Sequence, residues 1–174
     1  MKGCACITAE WGDGHHTFDA QPGKVQLRVS VEGTSAQVLD SETREISVPD
    51  LTSPQTALGT PEVFRARTVR EQQQLKTDTD AVPVASREFS RTDRLLVRVP
   101  AYGPGNTTPT VTAKLLNRDG QAMSELPVSP GTAPSAPQVE VPLAGLAPGD
   151  YVLELTATGA GGEAKQLVGF RVTG

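Results

Sequence analysis

Aromatic residues are scarce in this chain, making up 4% of 174 positions with Trp11 as the single tryptophan. Any core must therefore be packed from aliphatic side chains, and an aromatic platform for sugars has little material to draw on. Cysteine is scarcer still, confined to Cys4 and Cys6 in Cys-Ala-Cys. A bond between those two would close a very small, strained ring, so no structural disulfide is expected and cysteine usage leaves the redox compartment open. No apolar run approaches the ~20 residues that a membrane-crossing helix needs, so no membrane insertion is expected. Residues 3–9 form too short and too weakly apolar a stretch, cut off by Glu10, to serve as a signal-peptide core. The chain thus reads as part of something longer. Its 16 basic and 20 acidic residues give a net charge of −4. With no basic patch interleaved with aromatics, a nucleic-acid partner has no electrostatic footprint.

What the chain has is punctuation and alternation. Its 17 Gly and 14 Pro divide it into short segments, the mark of strands joined by turns. Lys24-Val25-Gln26-Leu27-Arg28-Val29-Ser30-Val31-Glu32 alternates polar and apolar without a fault, as a half-buried strand requires. Residues 36–39 and 44–48 supply two further extended pieces. With the short run from Thr17, residues 16–50 offer about four strands, fewer than the roughly seven of a complete sandwich. Residues 62–67 suit an edge strand, and residues 68–76, rich in Glu, Gln, Arg and Leu, suit a short helix.

The second half supplies strand candidates at 88–90, 94–99, 110–117, 123–128, 138–142, 151–158 and 166–172. Seven strands spaced by turn residues are the pattern of a β-sandwich. Asn117-Arg118-Asp119-Gly120 reads as a hairpin-type turn with Gly120 free to take positive φ. Leu146-Ala147-Pro148-Gly149-Asp150-Tyr151 reads as a tyrosine corner, with Pro148 and Gly149 making the turn and the Tyr151 hydroxyl tied back to nearby backbone. Beyond it, Tyr151, Leu153, Leu155 and Ala157 share one face of a strand.

The expected fold is therefore all-β: an immunoglobulin/fibronectin III-like antiparallel β-sandwich, preceded by a partial or smaller β-sandwich domain. The expected division is residues 1–56 as a partial sandwich with an irregular N-terminal tail, 57–82 as a linker with an edge strand or short helix, and 83–174 as the Ig-like sandwich.

Several stretches carry a family resemblance. They are Arg87-Glu88-Phe89-Ser90-Arg91-Thr92-Asp93-Arg94-Leu95-Leu96-Val97-Arg98-Val99, Leu115-Leu116-Asn117-Arg118-Asp119-Gly120, the Leu146–Tyr151 corner, and Gly169-Phe170-Arg171-Val172. Together they resemble the C-terminal β region of bacterial von Willebrand factor A-domain-related proteins, over roughly residues 18–174. The resemblance implies an extracellular, periplasmic or cell-surface setting. The adhesion motif Asp-x-Ser-x-Ser is absent. Its nearest counterpart, Asp40-Ser41-Glu42-Thr43, has Glu and Thr in place of the serines, so the A domain's metal-dependent ligand binding does not carry over.

Candidate chemistry is thin. Cys4, Cys6, Asp13, His15 and His16 are the one metal-like group, offering thiolate and imidazole suited to zinc. However, Cys-x-Cys is tighter than the usual spacer, and adjacent histidines on a strand point to opposite faces. A loose tail with incidental residues accounts for them, and no metal or other cofactor is expected. No Gly-x-Ser-x-Gly elbow accompanies the histidines, and Glu88, Asp93, Asp119, Glu125 and Asp150 are scattered over turns and strand edges. Arg91 is expected to pair with Asp93 or to clamp a carbonyl. No catalytic residue is nominated, and a small-molecule ligand is not expected. The expected function is a non-enzymatic accessory module, a stalk, spacer or protein-interaction unit of a larger exported bacterial protein, with a protein as its partner. The alternative is a carbohydrate- or peptide-binding module using the end loops at 102–108 and 129–137.

Overall fold

The computed structural model describes residues 5–11, 14–48, 50, 54–131 and 136–174, with side chains from Ala20 onward except that of Asn106. The chain divides into two compact units, Met1–Ser53 and Pro54–Gly174. Described residues are predominantly in strands, with one short α-helix.

In the first unit, β1 (Ala5–Trp11) pairs antiparallel with β2 (Gly14–Ala20), and β3 (Gly23–Glu32) with β4 (Val38–Val48). Each pair forms its own two-stranded sheet. Two expectations are corrected here. The N-terminal tail, expected to be irregular, contains β1 and the start of β2. The pieces expected at 36–39 and 44–48 belong largely to one strand, because Asp40-Ser41-Glu42-Thr43 contains no Gly or Pro to break it and every residue finds a partner on β3. A turn joins β3 to β4, with Ala36 at φ 57. On β3 the alternation leaves Val25, Leu27, Val29 and Val31 half-buried between exposed polar neighbours.

The second unit begins earlier than the expected boundary at residue 83. Residues 57–82, expected to be a linker, hold β5 (Ala57–Leu58), β6 (Glu62–Ala66) and α1 (Val69–Thr77). The reason is burial: Val63, Phe64 and Ala66 are all buried, and an apolar strand covered on both faces belongs inside a folded unit. The edge-strand expectation fits, since β6 closes one side of its sheet.

The remaining strands are β7 (Glu88–Ser90), β8 (Arg94–Arg98), β9 (Ala101–Tyr102), β10 (Thr110–Asn117), β11 (Ala122–Leu126), β12 (Val128–Ser129), β13 (Gln138–Pro142), β14 (Gly149–Gly159) and β15 (Gly162–Thr173). One sheet has the order β11-β10-β14-β15-β7, another β12-β13-β8-β6, and β5 pairs with β9. Among the described residues all pairings are antiparallel except β15 with β7, which run parallel. Inward residues of both larger sheets form a single cluster: Leu95, Val97, Val139 and Val141 from one, Ala113, Leu115, Leu153, Leu155, Val168 and Phe170 from the other. As the scarcity of aromatics requires, the cluster is mostly aliphatic.

Turn chemistry fixes the hairpins. Gly120 takes φ +78, a left-handed conformation that costs a glycine little, and its N–H bonds Asn117 O at 3.0 Å. At the β14–β15 tip, Gly161 packs against residues 54–56. A Cβ there would lie 2.6 Å from Gln55 C and 2.7 Å from Pro54 O, so glycine is required by close approach.

Candidate functional site

The corner residues fall where the sequence puts them. Gly149 opens β14, and the Tyr151 hydroxyl donates to Ala147 O at 2.9 Å. Its ring stacks on Phe170 with centroids 5.9 Å apart, the two residues being opposite one another in the β14–β15 register. Leu153, Leu155 and Ala157 follow it into the core cluster. Tyr151→Phe keeps the stack and removes the hydroxyl's bond to Ala147 O, so it is expected to cost about 1 kcal/mol in chemical denaturation.

Arg91 does not pair with Asp93. Its guanidinium donates to Ala144 O at 3.0 Å, while Asp93 Oδ2 accepts from Ser90 N at 2.9 Å. The contact is exposed, so Arg91→Ala is expected to move stability by no more than about 0.5 kcal/mol in the same titration.

Asp119, Glu125 and Asp150 are each engaged by a neighbouring cation and do not converge. Asp150 accepts from Arg171 Nε at 2.7 Å, a bond that lowers the carboxyl pKa below its ordinary range. Glu125 lies 3.7 Å from Lys114, and Asp119 3.7 Å from Arg118. These are exposed pairs, which contribute little to stability. Asp40 and Glu42 lie within β4, where Asp40 Oδ1 accepts from Ser41 N at 2.8 Å and Glu42 takes Arg44 Nε at 2.7 Å. A strand interior is not the loop setting that the adhesion motif needs.

Of the metal candidates, Cys4 and Asp13 lie outside the described residues, and only the backbone of Cys6, His15 and His16 is described. The β1–β2 register places Cys6 opposite Asp19 and His15 opposite Glu10. Four strand positions separate those two pairs, a backbone span of about 13 Å. Among the described residues no group of three or more His, Cys, Asp or Glu comes together.

The convergence of polar groups that the sequence did not signal lies under α1. This helix is built by its ends: Thr68 Oγ1 accepts from Glu71 N at 3.1 Å, and Glu71 reaches back to Arg67 N at 2.7 Å, a close relative of the capping box. The helix packs on β6 and β8. Gln72, 4% exposed, donates to Glu140 Oε2 at 2.8 Å, and Lys76 forms an ion pair with the same carboxylate. Gln138 Nε2 donates to Lys76 O at 3.1 Å, and Arg98 donates to Leu75 O. Arg98 is 6% exposed, with Cζ 4.5 Å from the Phe64 ring centroid and Nε without a partner. A cation, Arg98, and an amide donor, Gln138, thus meet the C-terminal carbonyls of the helix, where its dipole is negative. Chemically the network holds a helix onto a sheet.

The two end loops leave the same end of the unit. Val99 N donates to Pro137 O at 3.1 Å, which joins the exit of β8 to the entry of β13. From there one loop runs through Tyr102 and the 3-10 turn Pro104–Asn106, and the other back to Ser129, whose hydroxyl donates to Gln138 O at 3.3 Å. Residues 132–135 of the latter lie outside the described residues. Thr56, buried beside Gly159 at the β14–β15 tip, has an unpartnered Oγ1. An open groove of about 350 Å³ lies elsewhere, lined by Val111, Ala113, Lys114, Glu125, Leu126 and Val128. It follows from the short β10–β11 pairing, which starts at Ala113 and leaves residues 110–112 of β10 without β11 beside them.

Among the described residues no helix is long and apolar enough to cross a membrane. In comparisons with known proteins, no family model matches the chain and no curated protein matches it significantly.

Proposed function

We propose that residues 54–174 form an immunoglobulin/fibronectin III-like β-sandwich acting as a non-enzymatic accessory module, a stalk, spacer or protein-interaction unit. The observation that carries this reading is how the polar side chains are used. Arg91, Arg98, Gln138 and Tyr151 each donate to a backbone carbonyl, of Ala144, Leu75, Lys76 and Ala147 respectively. Groups spent on joining one segment to another build a rigid scaffold. The sheet orders suit that fold, since β6 and β7 stand at the edges of the two larger sheets and β7 runs parallel to the last strand, β15. Placement in a larger exported bacterial protein rests on the resemblance to the C-terminal region of von Willebrand factor A-domain-related proteins.

A second reading, a carbohydrate- or peptide-binding module, is favoured by one observation: both end loops emerge at one end of the unit, beside Val99 and Pro137. Clustered loops on a rigid scaffold are a common binding arrangement. Glycan and peptide arrays probed with the full chain separate the two. A stalk or spacer gives no saturable binding on either array. A saturable hit abolished by substitutions at Tyr102 and Thr107 would replace it with the second.

A further inference from the structure

We propose that α1 is a releasable latch: it detaches from the outer face of the β12-β13-β8-β6 sheet while the rest of the second unit stays folded. The proposal stands on what holds the helix down. Of its nine residues, Gln72 alone is buried, and it is polar; Leu75 and Lys76 are half-buried and the other six exposed. The helix thus docks without one fully buried apolar side chain of its own. Beyond its cover over Phe64, Ala66 and Leu96, the bonds that seat it are polar: Gln72 and Lys76 on Glu140, Arg98 on Leu75 O, Gln138 on Lys76 O. Water replaces each of them once the helix leaves, so only the net difference opposes release. Elements with few apolar contacts and many solvent-replaceable bonds open first in native proteins.

The face beneath is unlike an ordinary sheet exterior. Phe64, Ala66 and Leu96 are buried yet lie outside the main cluster, because they alternate with the inward Val63, Leu95 and Val97. Arg98 covers the Phe64 ring and keeps Nε unpaired in the closed state. Release therefore solvates a charged group that docking leaves partly unsatisfied, and this offsets part of the cost of baring Phe64 and Leu96. The core cluster behind the sheet contains no residue of α1, so opening leaves it in place. What opens is an aromatic and aliphatic strip flanked by Arg94, Arg98 and Glu140.

Native-state hydrogen exchange of the full chain, followed by mass spectrometry at low denaturant, tests the latch. Amides of residues 72–77 should exchange at least about tenfold faster than those of residues 153–157, with little dependence on denaturant. Glu140→Gln and, separately, Lys76→Met should raise helix exchange further and leave residues 153–157 unchanged. Raising the salt concentration should act in the same direction as these variants, since it screens the Lys76–Glu140 pair. The proposal is overturned if helix and core amides exchange at one rate with one denaturant dependence, because α1 would then open only when the whole unit unfolds. It is equally overturned if both variants leave helix exchange unchanged.

Discussion

Replacing Phe89 with alanine should destabilise the second unit by about 3–4 kcal/mol, among the largest effects of any single truncation in it. Phe89 is 1% exposed and is the central residue of β7, which spans three residues. It sits opposite Val172 in the one parallel pairing and packs in the main cluster. Beside its ladder with β15, β7 is held where Arg171 N donates to Arg87 O at 2.7 Å and Thr173 Oγ1 to Phe89 O at 3.2 Å. Truncation therefore removes a large buried ring, and so short a strand has little means of closing the cavity by moving inward. Urea denaturation should show a lower midpoint with an unchanged slope, since the folded and unfolded surfaces stay similar. Glu88→Ala, exposed on the same strand, should shift stability by no more than about 0.5 kcal/mol. A loss below about 1 kcal/mol for Phe89→Ala would mean that β7 is dispensable and that β15 closes its sheet unaided.

Phe89 also marks how far the sequence could be read. Strands β7, β10 and β13 fall on the ranges their residues suggest, because alternation inside them and Gly, Pro or polar turns outside them agree. Agreement fails where local signals conflict with packing. Glycine does not stop β14 or β15, whose paired ends include Gly149, Gly159 and Gly162. The run at 123–128 is divided after Leu126, since Pro127 offers no N–H to a ladder and the chain passes there from one sheet to the other. In β6 the adjacent Val63 and Phe64 are both buried, which erases the period of two and made the segment look like a linker. The polar network under α1 leaves no sequence trace. Gln72 with Glu140 and Gln138 with Lys76 meet across separations of 68 and 62 residues, and each residue taken alone is an ordinary surface residue. Tyr151 was legible because its partner, Ala147, lies four residues away.

Phe64→Ala should cost about 3 kcal/mol in the same denaturation experiment, by a different route from Phe89→Ala. Phe64 is 1% exposed but faces away from the main cluster, under α1 and against the Arg98 guanidinium at 4.5 Å. Two losses combine: the buried ring itself, and the surface on which a buried cation rests. Without the ring, Arg98 retains its bond to Leu75 O but loses its π-face, and water gains access to the unpaired Nε. Phe64→Leu keeps most of the apolar volume and should cost less than half as much, about 1 kcal/mol. The separate contribution of the stack follows from a double-mutant cycle with Arg98→Met, for which a coupling of about 0.5–2 kcal/mol is expected at a desolvated site. Zero coupling would make the stack incidental and leave packing alone to explain Phe64. The exchange pattern adds a second discriminator: loss of the ring should accelerate the α1 amides before those of β14, because the ring supports the helix directly and the core only through β6.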